Sequence, residues 1–178
     1  MAQRDDWPRA GAGPGHPGDP APPAPGDAAA RARRETLTDE ARGRHDALTA
    51  AIERLERALS AAAGRREAWS ERVAGELERV GDAVRAHVDG MEEPGGLFEE
   101  VQRAAPRLSR SLAALAREHP SLVARTAALA GRFPADESLD VHALRREATE
   151  LLVSLREHRA FETDLIYEAF WTDLGAAD

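Results

Sequence analysis

Residues 155–174 read LREHRAFETDLIYEAFWTDL. Leu155, His158, Glu162, Leu165 and Ala169 recur at spacings of three and four, the period of one face of an α-helix. The stripe is apolar except for His158 and Glu162, an ionisable pair on the face that packing should bury. The same stripe runs back through Leu151, Ala148 and Leu144, so one long helix is predicted, capped by Asp136 or Ser138 and closed by Gly175.

Three more stripes precede it. The first joins Leu37, Ala41, His45, Leu48, Ile52, Leu55 and Leu59, with Thr36 as cap, Asp39 in the first turn and Gly64 past the end. The second joins Trp69, Val73, Leu77, Val80, Val84, His87 and Met91. Gly90, Pro94, Gly95 and Gly96 interrupt it, and LFEEVQRA resumes the helix for about two turns. The third joins Leu108, Leu112, Leu115, His119, Leu122, Thr126, Leu129 and Phe133, between a start at Pro106 and an end at Gly131 and Pro134. Pro120 lies inside it and predicts a kink, or a break just after His119. No segment alternates with a period of two. The fold class expected is all-α, an antiparallel up-down four-helix bundle over residues 35–178. Residues 1–34 are built from Pro, Gly, Ala and Asp and have nothing large to bury, so a disordered tail is expected, with no role for Trp7 or His16.

Composition narrows the chemistry. There is no cysteine, which excludes disulfides, thiolate nucleophiles and cysteine-ligated metals. All 24 basic residues are arginine and the net charge is −8. Arginine without lysine, beside abundant Ala, Gly and Pro, reflects GC-rich coding, as expected of a bacterial source. The arginines are scattered among acids and form no basic stripe, so nucleic-acid binding is not expected. No apolar run is long enough to cross a bilayer and no leader pattern is evident, so a soluble cytoplasmic protein without membrane contact is expected.

Each of the four stripes carries one histidine: His45, His87, His119 and His158. Their distances from the intervening turns are similar enough for all four imidazoles to meet at one height inside the bundle. Glu162 follows His158 by one turn and points the same way. A buried carboxylate among imidazoles is costly unless neutralised, and a metal cation neutralises it. Imidazole and carboxylate suit iron, manganese or zinc. His142 is expected on the surface at the first turn of the last helix. Ser154 has no accompanying third group or oxyanion loop and is expected to be a plain helix serine. Tyr167, Phe170 and Trp171 are expected to pack, and the charged faces to be solvated.

His87, EEPGG at 92–96, LFEEV, APRL at 105–108, EHPSL around His119 and HRAFE…LIYEAFWTDLG, in that order, resemble a bacterial hemerythrin-like domain over roughly residues 36–178. That family consists of four-helix bundles whose non-haem di-iron centre, held by five histidines and two bridging carboxylates, binds or reacts with oxygen. The resemblance implies metal ligands at His45, His87, Glu92, His119, His158 and Glu162, and iron as the cofactor. It also implies a small diatomic molecule or peroxide as the binding partner. Two departures stand out. Met91 occupies the position four after His87, so Glu92 needs a π-bulge near Gly90 to turn inward, with Glu93 as the alternative. Leu115 and Val123 stand where another third-helix histidine would be. The remaining set can hold two metals, one or none. The expected function is oxygen, peroxide or nitric oxide binding or sensing, or iron handling; no separate acid–base residue is evident, and turnover of peroxide is left open. The alternative is a metal-free helical interaction module built on the same bundle.

Overall fold

The computed structural model describes residues 25–133 and 140–171. Their regular structure is entirely helical: α1 (Pro25–Ser60), α2 (Arg66–Glu92), the short α3 (Leu97–Ala104), a 3-10 turn (Pro106–Leu108), α4 (Ser109–Ala130) and α5 (Val141–Trp171). α1 packs on α2 and α5, and α4 packs on the same two helices. Cross-helix pairs fix the directions. Trp69 donates to the Ala58 carbonyl and Arg44 to that of Gly90, so α1 and α2 run oppositely. Arg125 reaches Ser154, and Arg132 pairs with Glu147, so α4 and α5 do too. α3 lies against α1, α2 and α5.

The core falls into two apolar clusters. One contains Leu48, Ile52, Leu55, Trp69, Val84, Leu122 and Leu155. The other contains Ala41, Met91, Leu97, Leu112 and Leu165. Between them runs a polar layer. His45 lies between Ala41 and Leu48 on α1, and His87 between Val84 and Met91 on α2. His119 lies between Leu112 and Leu122 on α4, and His158 and Glu162 between Leu155 and Leu165 on α5. Each full Leu or Ile burial stabilises by ~1.5–3 kcal/mol, so the apolar clusters carry the fold and leave the polar layer free for other use.

Several local expectations shift. α1 reaches back to Pro25, ten residues before the start expected at 35. Pro suits the first helical position and the Ala/Arg run behind it propagates well. Tertiary contacts hold this extension: Arg33 donates to the Gly95 carbonyl at 2.8 Å, and Arg34 pairs with buried Glu100 and lies 5.0 Å over the Phe170 ring. Residues 1–24 lie outside the described residues. Thr36 is therefore inside α1 rather than its cap, and its hydroxyl donates to the Ala32 carbonyl one turn back. Asp140 caps α5, accepting from the His142 and Ala143 amides, while Asp136, Ser138 and Gly175 lie outside the described residues.

α2 runs unbroken through Gly90 to Glu92, with no π-bulge; the chain turns instead at Gly95, whose φ of +75° suits a residue without Cβ. α4 likewise continues through Pro120. The proline is exposed, so the Ala116 carbonyl deprived of its partner is on the solvent side of the helix. α3 and the start at Pro106 follow the sequence reading. Of the aromatic end of α5, Phe170 packs on the second cluster, Tyr167 stays 60% exposed, and the side chain of Trp171 is outside the described residues.

Candidate metal centre

His87, His119 and His158 are buried and meet in the polar layer, with one ring nitrogen of each within 4.8 Å of the others. Their ring centroids lie 4.9–5.8 Å apart. Three helices deliver them, each from the apolar stripe that its own packing turns inward. These three buried histidines can hold a metal ion.

The outer edges of two rings explain their orientation. His119 Nδ1 lies 2.6 Å from Glu92 Oε1, and His158 Nδ1 lies 2.8 Å from Glu118 Oε2. A carboxylate only accepts, so both Nδ1 atoms donate and each ring turns its Nε2 inward. Those two Nε2 atoms stand 3.1 Å apart. Two lone pairs at that separation repel unless a proton or a cation lies between them. Two nitrogens bound at ~2.0–2.1 Å to one tetrahedral ion would stand ~3.3 Å apart, close to the observed distance. The carboxylate–histidine pairing is also the usual support behind metal-ligating imidazoles.

Glu162 completes the layer. Its Oε2 is 3.2 Å from His87 Nε2, yet neither buried atom has a hydrogen-bond partner. Burial pushes the Glu162 carboxyl up to about 7, against the pull of Arg159 and Arg44. Burial, then the neighbouring imidazoles of His119 and His158, holds His87 down at about 3. Both shifts favour the uncharged pair over an ion pair, because desolvation outweighs attraction in this layer. His158 is also lowered by burial, partly offset by its bond to Glu118.

The other expected ligands sit differently. His45 is only partly buried, and its Nε2 accepts from Arg159 Nε at 2.9 Å. Burial and the Arg159 charge lower its pKa. Glu92 does not turn inward; its side chain is 43% exposed and reaches His119 from the outside of the ring. Glu93 is exposed and caps the C-terminal end of α2. His142 is exposed as expected, and Ser154 bonds Glu150 and Arg125 like an ordinary helix serine.

Two neighbours escaped the sequence reading. Glu118 is 40 residues from His158, and Phe98 stacks on His119 at 5.6 Å and 15° although it belongs to the short α3. Only pairing between helices reveals either. A cavity of about 280 Å3, lined by Ala41, His45, Leu97, Glu162 and Ile166, leads from the surface to Glu162. A second, of about 370 Å3, reaches His158 beside Glu118 and Phe161. No helix among the described residues is long and apolar enough to cross a membrane. No family model matches the chain, and neither the curated proteins nor the solved structures compared with it include a significant match.

Proposed function

We propose that the chain is a hemerythrin-like metal protein, an up-down four-helix bundle whose His87, His119, His158 and Glu162 hold a transition-metal ion. The observation that carries the reading is the pair of Nε2 atoms 3.1 Å apart, each with its Nδ1 committed to a carboxylate. The unpartnered His87 Nε2 and Glu162 Oε2 support it, since a cation beside them would satisfy both. Imidazoles with one carboxylate suit iron, manganese or zinc, and we favour iron on the resemblance of the histidine-bearing motifs to hemerythrin-like domains. When bound, iron with three histidines and one carboxylate keeps open positions for oxygen, peroxide or nitric oxide. The chain's own contribution is to orient the imidazoles through Glu92 and Glu118, to exclude bulk water with the two apolar clusters, and to admit small molecules through the cavity at Glu162.

The test is thermal melting of the tag-free protein with and without ferrous iron under anaerobic conditions. Iron at a hundredfold above its Kd should stabilise by ~2.7 kcal/mol, and so raise Tm by roughly 5–11 °C for a chain of this size. A chelator should reverse the shift, and His158→Ala should abolish it. A melting curve indifferent to iron, manganese, zinc and chelator would leave the metal-free helical module as the reading.

A further inference from the structure

We propose that this centre takes one metal ion, with the guanidiniums of Arg44 and Arg159 supplying beside Glu162 the positive charge that a second ion would bring. The inference rests on the metal-binding reading above and disagrees with the two-metal centre that the sequence resemblance implies.

Each candidate ligand beyond the first four is committed elsewhere. The His45 Nε2 lone pair accepts from Arg159 Nε at 2.9 Å. Glu92 and Glu118 lie at the Nδ1 edges of His119 and His158, on the opposite side of each ring from the Nε2 that faces the centre. A carboxylate there positions the ring but cannot bind the same ion. What remains is His87, His119, His158 and Glu162, the donor complement of a single ion.

The second half of the layer is built for arginine. Arg44 donates to the Gly90 carbonyl at 3.2 Å, and its chain lies directly on the α2 backbone at Gly90. A Cβ at position 90 would collide with the Arg44 Cδ, Nε and Cζ atoms. The glycine inside α2 is thus a cradle for a guanidinium. Arg159 stands one turn before Glu162 on α5 and holds His45, while Arg44, next to His45 on α1, lays its guanidinium on α2 one turn past His87. Guanidinium groups stay charged, and two of them on this side of the layer repel a second dication.

Native mass spectrometry of the full tag-free chain during anaerobic ferrous iron titration decides the matter. One ion per chain at saturation is expected, and manganese-loaded protein should give the electron paramagnetic resonance signal of an isolated ion. His45→Ala should keep its one ion with affinity changed less than about threefold, below the loss typical even for outer-shell partners. Two ions per wild-type chain, a coupled manganese signal, or a tenfold loss in His45→Ala would each overturn the single-ion centre while leaving metal binding intact. No ion at all would sink the metal-binding reading and this inference with it. The double variant Arg44→Met/Arg159→Met, checked for helicity, should accept a second ion at high iron; stopping at one would overturn the part given to the arginines.

Discussion

Glu162→Gln tests whether the polar layer holds an uncharged pair in the metal-free protein. The Glu162 carboxyl is raised by burial from 4.5 to about 7. Between those values the folded chain holds a proton that the unfolded chain has released. Stability contributed by this group is therefore complete below pH 4.5 and is lost as pH rises through about 7. At ~1.4 kcal/mol per pKa unit the loss is about 3 kcal/mol, or roughly 6–12 °C in Tm for a chain of this size. His87 has the opposite sign. Its pKa falls from 6.5 to about 3, so its contribution is present above 6.5 and is lost as pH falls towards 3. In the wild type the two trends nearly cancel between pH 4.5 and 6.5. Glutamine is isosteric with the neutral acid and removes only the first trend. Melting of metal-free wild type and Glu162→Gln, followed by circular dichroism, should show the wild type losing about 3 kcal/mol relative to the variant between pH 4.5 and 7.5. A gap that stays constant with pH would refute the uncharged pair. Saturating metal should remove the trend, because a ligating carboxylate is already ionised.

Two other outcomes follow from the geometry. Glu92→Gln and Glu118→Gln should each weaken metal binding about tenfold in a chelator competition, the low end for outer-shell partners because both carboxylates are half exposed; His119→Ala should abolish it. Gly90→Ala should destabilise by ~1–3 kcal/mol in a denaturant melt because it displaces Arg44, whereas Gly43→Ala meets nothing within 4 Å and should stabilise by ~0.5–1 kcal/mol.

The helices and the inward face of each were legible in the sequence. A 3.6-residue apolar period is a local property, and the stripes through Leu48, Val84, Leu122 and Leu155 are those buried in the structure. Residue counts from the turns also put His45, His87, His119 and His158 at one height, and three of those four meet there. What the sequence could not determine is what each polar group meets. Glu92 and His45 carry the right chemistry for ligands, but Glu92 sits one residue beyond the inward position that Met91 takes in a regular helix, and an arginine 114 residues away engages His45. Gly90 looked like a helix breaker because glycine lowers helix propensity; tertiary packing outweighs that ~1 kcal/mol and uses the missing Cβ to seat Arg44. The N-terminal boundary moved for the same reason, since Arg33 and Arg34 find partners on the turn after α2 and on α3 that local composition does not reveal. Periodicity fixes which way a side chain points, and only the packed helices decide what it finds there.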